Sequence, residues 1–312
     1  MGLVGHVGCS SDSGTESSVD ASTDRGIILP PDAQAPLCDL TKPFGEPVFI
    51  PSANVPGGES GSFSSDELTF YSQNNTANGF HLYSATRPSR DCSFTPPTLL
   101  KNVNNTTGAG DYDPFITYDG LELFFSSDRQ INDASTWFDL YYATRTSTDD
   151  DFSAPTPVPN LNTSLLDRAP ALSADKKTLY FNSTGYGDSK GGIYKSARSG
   201  PNFGAARHID LGTTTGDSSP IPSPDELTLY FFSERGGSVG SGDIWMATRP
   251  TKDADFGPPT NKGAVATLNT TASEGPRSIS PDGCRMYLVT DRPTPNNAGT
   301  GKYNMWVATR PN

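Results

Sequence analysis

The stretch from Asp217 to Arg249 decides the fold: after Asp217 it reads SSPIPSPDELTLYFFSERGGSVGSGDIWMATR over residues 218–249. It opens on a short apolar run and reaches a Ser-Pro-Asp turn. It then alternates as Leu227-Thr228-Leu229-Tyr230-Phe231, the period-2 signature of a half-buried strand. A Gly/Ser-rich loop follows, and Asp243 to Arg249 forms a third strand. The chain contains this unit five times. The others run SGSFSSDELTFYSQN to FHLYSATR, DYDPFITYDGLELFFSSDR to FDLYYATR, DRAPALSADKKTLYFNSTG to GGIYKSAR, and EGPRSISPDGCRMYLVTDR to YNMWVATR. Their turn aspartates are Asp66, Asp119, Asp175, Asp225 and Asp282. That spacing, roughly 50 residues, is the length of a propeller blade.

Between units lies a fourth segment, rich in Phe and Pro: FTPPTLL, FSAPTPVPNL, FGAARHIDL and FGPPTNKGAVATL. Proline is tolerated on an outer edge strand, so these read as outer strands. A fifth copy, Phe44 to Ile50, stands before the first unit, and the sequence stops just after the third strand of the last. That copy can only complete the final unit. The expectation is therefore an all-β, five-bladed β-propeller of four-stranded blades over residues 38–312, closed by its N-terminal strand joining the last blade. Ring closure of this kind leaves only short edges.

Composition agrees. There are 31 Gly and 27 Pro, and only 19% of residues are charged, as befits many short strands and turns. The net charge of -12 argues against a nucleic-acid partner, which needs a basic footprint. No apolar run is long enough for a membrane-spanning helix. Residues 1–37 read as a tether. Cys9 follows small and apolar residues and precedes a Ser/Asp/Thr linker. It is similar to the lipid-attachment junction of a bacterial lipoprotein, which would place the protein outside the cytoplasm and make Cys9 its one membrane contact. Cys38 and Cys92 could pair there, or both could remain thiols. Without a CxxC, a zinc or thioredoxin-like site is disfavoured.

The repeat resembles the WD40-like PD40 repeat of TolB-like propellers. The resemblance rests on Ser-Pro-Asp-Glu at 223–226, Ser-Pro-Asp-Gly at 280–283, Leu-Tyr-Phe at 179–181, Ser-Ser-Asp-Arg at 126–129, Asp-Ile-Trp at 243–245 and the lead-ins Leu161-Asn162-Thr163 and Leu268-Asn269-Thr270. It implies an extracytoplasmic propeller. It says little of activity, because propellers host both enzymes and binding modules.

Whatever recurs in every unit reads as scaffold. That covers the turn aspartates and the arginines closing each third strand, Arg87, Arg145, Arg198, Arg249 and Arg310, expected to pair between blades with a turn carboxylate. The long variable loops lie on the face reached between the second and third strands, where function concentrates. At its centre the first strands begin with Glu59, Asp111 and Asp113, Asp167, Asp217 and Glu274. Asp111, Asp167, Asp217 and Glu274 could line a watery channel, hold Ca²⁺ through their oxygens, or work as acid/base pairs on a carbohydrate or lactone. Trp137, Arg168 and Arg277 have no counterpart in every blade and read, with Glu59 and Asp113, as ligand contacts. Two functions follow: a binding propeller presenting its loop face to a protein or glycan, or a hydrolase or lyase using the central acids. The three histidines are not placed for a Ser-His-Asp triad.

Overall fold

The computed structural model describes residues 37–51, 58–77, 79–105, 108–129, 137–186, 191–212, 216–295 and 303–312. Cys9 and nearly all of the expected tether lie outside them. Chain order runs from β1 (Val48–Phe49) into blade one: β2 (Gly58–Phe63), β3 (Thr69–Thr76), β4 (Gly79–Thr86) and β5 (Thr98–Leu99). Blade two is β6 (Asp111–Ile116), β7 (Glu122–Ser127), β8 (Asp139–Thr144) and β9 (Thr156–Pro157). Blade three is β10 (Asp167–Leu172), β11 (Thr178–Ser183) and β12 (Gly192–Ser199), edged by β13 (Asn202–Phe203) and β14 (Arg207–His208). Blade four is β15 (Ser218–Pro222), β16 (Thr228–Ser233) and β17 (Asp243–Thr248). Blade five is β18 (Glu274–Ile279), β19 (Arg285–Thr290) and β20 (Asn304–Thr309), and β1 is its fourth strand. All pairings within the blades are antiparallel. The five-bladed propeller and its closure are as the phase of the repeat requires.

One outer segment differs from expectation. In blade four the stretch after Phe256 forms no outer strand: it meets β17 at the isolated Met246–Thr260 bridge and the Gly257–Thr248 hydrogen bond, and then forms a 3₁₀ helix, Gly263–Leu268. Pro258 and Pro259 lack the N–H groups a strand would donate. The helix buries Val265 and Leu268, and Ala264 and Thr267 hydrogen-bond Phe44.

One interaction repeats through all five blades. Each third-strand arginine stacks over the phenylalanine of its own outer segment: Arg87 on Phe94, Arg145 on Phe152, Arg198 on Phe203, Arg249 on Phe256 and Arg310 on Phe44, at 4.0 to 5.5 Å. Such contacts contribute about 0.5–2 kcal/mol each. The same guanidiniums reach back one blade, though not to the turn aspartates. Arg145, Arg249 and Arg310 donate to the hydroxyls of Tyr71, Tyr180 and Tyr230. Blade two has Phe124 at that position and offers no hydroxyl. There Arg198 meets Glu122 instead, at 2.7 Å. The turn aspartates cap their own turns: Ser64, Thr117, Ser173, Ser223 and Ser280 donate to them at 2.5 to 2.7 Å.

The ends are locked together. β1 pairs with β20, Gly45 and Ile50 bond the backbone of Thr309 and Met305, and Arg310 holds the Lys42 carbonyl. A disulfide joins Cys38 to Cys284, with Cα atoms 5.7 Å apart. This corrects both alternatives open for Cys38 in the sequence, a pairing with Cys92 or a free thiol. Cys284 sits after the turn of blade five, beside the returning N-terminal strand, so closure of the ring rather than sequence proximity selects the partner. The bridge spans 246 residues. In the chain-entropy view a loop that long is worth up to about 5 kcal/mol. Replacing both cysteines by serine is expected to destabilise the protein by about 2–5 kcal/mol. Denaturant titration of the variant against the parent protein, both without reductant, checks this.

Candidate functional site

The innermost strands β2, β6, β10, β15 and β18 surround the axis. Four of the expected acids begin or immediately precede them, but they do not face the axis. Asp111, Asp167 and Glu274 are fully buried and Asp217 nearly so. Each is absorbed by its own blade. Asp111 accepts from the Asn105 N–H and pairs with Arg129. Asp217 pairs with Arg235 at 2.6 Å. Glu274 accepts from the Thr270 N–H and hydroxyl, from Thr290 and from Arg292. Asp167 accepts from the Thr163 N–H and hydroxyl and from Ser183. Arg129, Arg235 and Arg292 also donate to the Val103, Leu211 and Leu268 carbonyls. They stack on Tyr141, Trp245 and Trp306.

The lead-in motif thus has a structural job. Asn104, Asn162 and Asn269 pair like a short strand with both backbone groups of Leu82, Leu140 and Ile244. The threonine that follows in blades three and five fastens the acid. Blade three has Gly185 where blades two, four and five carry the arginine, and burial without that countercharge raises the Asp167 carboxyl above its ordinary pKa. Among the described residues no three metal-ligating side chains converge.

What does face the axis is a cavity of about 400 Å³ on the loop side. All five blades line it, through Ser60 and Gln73, Asp113, Arg168 and Asn182, Ser219 and Phe232, and Arg277 and Tyr303. Toward the turn side it narrows to about 20 Å³, little more than one water, inside a collar of Pro114, Pro170, Pro220 and Pro276. Beyond the collar, Tyr118 of blade two donates to the Ile279 carbonyl of blade five, a 3.0 Å bond between non-adjacent blades. The axial space is therefore a cup open at the loop face.

β-bulges shape the cup. Asp113, Ala169 and Ser219 have φ of 51°, 53° and 52°, a left-handed conformation uncommon outside glycine. Each is an extra residue in its strand and precedes a proline of the collar. The preceding blade satisfies the turned N–H groups: Gln73 Oε1 accepts from Asp113 and Ser126 Oγ from Ala169. In blade five the irregularity falls one residue later, between Pro276 and Ser278, and places Arg277 at the axis.

The off-repeat residues meet here. Arg168 donates twice to Asp113, at 2.9 and 3.1 Å, and packs over the Phe138 ring. The Asp113 carboxylate raises the Arg168 pKa above its usual value. Arg277 donates to Ser219 Oγ at 3.1 Å. Trp137 is half exposed and precedes Phe138 in the chain, but it is not among the residues that line the cup. Glu59 falls in β2, and its side chain lies outside the described residues. A larger cavity, about 570 Å³, opens between blades one and two on the turn face. Its charged lining includes scaffold groups already engaged, such as Arg145 with Tyr71 and Asp119 with Lys176.

One buried acid escaped notice in the sequence. Asp139 opens β8, is 1% exposed, and its Oδ1 meets no donor. Burial, and then the neighbouring Asp167 carboxylate, push it up to about 6. Its counterparts are Asp243, held by the N–H groups of Val239 and Gly240, and Asn304. The signal available was an aspartate opening the third strand where blade five carries an amide. A carboxyl with a pKa raised in the fold costs nothing below the unfolded value of 3.8; the cost grows as pH rises from there and is complete above about 6. Asp139→Asn is therefore expected to raise the melting temperature at pH 7.5. The gain should shrink between pH 6 and 4, as thermal melts across that range would show.

No protein-family model matches the chain, and no curated protein matches it by sequence. Solved structures share its fold at low identity. A protein described as a candidate TolB from Agrobacterium tumefaciens is 15% identical over 82% of this chain and 91% of its own, with a TM-score of 0.51. A candidate glycoside hydrolase from Parabacteroides distasonis is 12% identical over 86% and 93%, with a TM-score of 0.51. The catalytic domain of the Coprinopsis cinerea GH62 α-L-arabinofuranosidase is 12% identical over 86% and 97%, with a TM-score of 0.50. At these identities the likeness is one of fold.

Proposed function

We propose that this chain is an extracytoplasmic binding propeller that receives the end of a glycan or protein ligand in the loop-face cup. One observation carries the reading. The four recurrent acids are consumed inside their blades, whereas the residues that differ between blades, Asp113, Arg168 and Arg277, line the open cup. Scaffold chemistry repeats with the fold, and recognition chemistry breaks the repeat. The cup's size falls within the range of small-ligand sites. The half-exposed Trp137, two residues before β8, offers an apolar surface on which a sugar ring could stack. The Cys38–Cys284 disulfide fits an oxidising compartment. No helix among the described residues is long and apolar enough to cross a membrane.

The hydrolase reading needs two carboxyl groups flanking the scissile bond, roughly 5–10 Å apart. Among the described residues Asp113 is the only carboxylate lining the cup, and Arg168 holds it as an ion pair. That arrangement favours binding over acid/base turnover.

Gly275 lines the cup, and a Cβ there would meet only ordinary contacts, 3.7 Å from Arg277 and Val289. Gly275→Phe should therefore fill the cup without disturbing the fold. A glycan array and an envelope-protein pull-down with the full chain are expected to yield a ligand that Gly275→Phe loses at unchanged melting temperature. Binding indifferent to Gly275→Phe, or turnover of a glycoside abolished by Asp113→Asn, would overturn the reading.

A further inference from the structure

The turn face carries a break in the repeat of its own. The residue after each turn aspartate is Glu67, Gly120, Lys176, Glu226 and Gly283 in blades one to five. All five have φ between 58° and 72°. Where this residue has a long side chain, it reaches the groove shared with the preceding blade. Glu67 accepts from Arg285 and Tyr287 of blade five. Lys176 pairs with Asp119 and Glu122 of blade two at 2.5 and 2.6 Å. Glu226 accepts from Tyr180 of blade three and from Lys252, whose ammonium also lies 3.4 Å from Asp175 of blade three. Gly283 has no side chain, but the N-terminal segment covers it: a Cβ there would stand 3.1 Å from Leu40, and Cys38 is bonded to Cys284 alongside.

The groove between blades one and two has no such plug. Blade two has Gly120 after its turn aspartate, and Thr148 where blade four has Lys252, three residues after the third-strand arginine. The cavity of about 570 Å³ opens at this point. That volume suits a small ligand.

The plugged grooves show what chemistry the open one accepts. Asp119 and Asp175 each cap their own turn through Oδ1 and hold a lysine ammonium on Oδ2. Asp66 is the matching aspartate in the open groove. Its Oδ1 accepts from the Ser64 hydroxyl and the Leu68 N–H, and among the described residues no cation reaches its Oδ2. The blade-two wall adds Asp149, Asp150 and Asp151, the last paired with Lys101 at 3.4 Å. Arg145 is taken up by the Gly120 carbonyl and the Tyr71 hydroxyl.

We infer that this groove is a second binding site, separate from the cup, for a linear alkylammonium ion of the polyamine class. One ammonium takes on Asp66 the place that Lys176 and Lys252 take on Asp119 and Asp175. The methylene chain lies against Leu100, which lines the cavity, and a further ammonium faces the blade-two aspartates. An alkylammonium is a compact point charge with three donors, which is what the lysines already supply in the neighbouring grooves.

Isothermal titration of the full chain at pH 7.5 and physiological ionic strength tests this, with putrescine and spermidine as probes. Tetramethylammonium, a cation without N–H donors, and n-butanol serve as controls. At least one polyamine is expected to saturate a single site more tightly than either control. Asp66→Asn keeps the Oδ1 cap and should weaken binding by about fivefold at unchanged melting temperature. Gly120→Lys should abolish binding by seating its own ammonium on Asp66, in a backbone conformation that Lys176 already adopts. Gly275→Phe in the cup should change nothing. Failure of both polyamines, equally tight binding of tetramethylammonium, or indifference to Asp66→Asn or to Gly120→Lys overturns the inference. Loss of binding in Gly275→Phe overturns it too, because the cation would then sit in the cup.

Discussion

The ring stands or falls on one seam. Blade five is made from both ends of the described chain, with Arg310 of β20 lying on Phe44 of the N-terminal segment, β1 paired to β20, and Cys38 bonded to Cys284. An open arc of five blades would expose two unpaired inner surfaces and long edges. Closure buries both at once. The arginine-on-phenylalanine contact at the seam is the one found inside every other blade, so the chain closes itself with the interaction that builds each blade. The 3₁₀ helix of blade four then packs under Phe44 and ties the seam to its neighbour.

That economy explains how the carboxylates at the first-strand starts can be abundant without being a site. Burying an acid is costly unless donors meet it. Three blades meet it with an arginine from the second-to-third-strand loop. Blade three uses the hydroxyls of Thr163 and Ser183 instead, and there the carboxyl pKa rises. Asp139 next to it lacks even those partners among the described residues. This sector is where the scaffold is electrostatically least settled, and it adjoins Phe138 and Arg168 at the rim of the cup.

Much of the architecture was legible in the residues. The five turn aspartates and the displaced first outer segment gave the blade number and the manner of closure. The capping role of those aspartates and the structural character of the recurrent arginines also followed from repetition. The arginines' partner did not, because a tyrosine hydroxyl one blade away is invisible to spacing. The disulfide was not legible for a related reason: Cys38 and Cys92 are near in sequence, whereas Cys38 and Cys284 are near only in a closed ring.

The site divided along the same line. Sequence alone singled out Trp137, Arg168 and Arg277 as residues that break the repeat and placed Asp113 among the rim acids; Asp113, Arg168 and Arg277 line the cup. It grouped them with Asp111, Asp167, Asp217 and Glu274 in one rim, and only the tertiary structure separated the two sets. Strand alternation tells inward from outward until a bulge inserts an extra residue, after which the assignment shifts. The bulges at Asp113, Ala169, Ser219 and near Arg277 lie where the strands approach the axis, so which side chains meet there was decided by the folded backbone and by the blades that hold it.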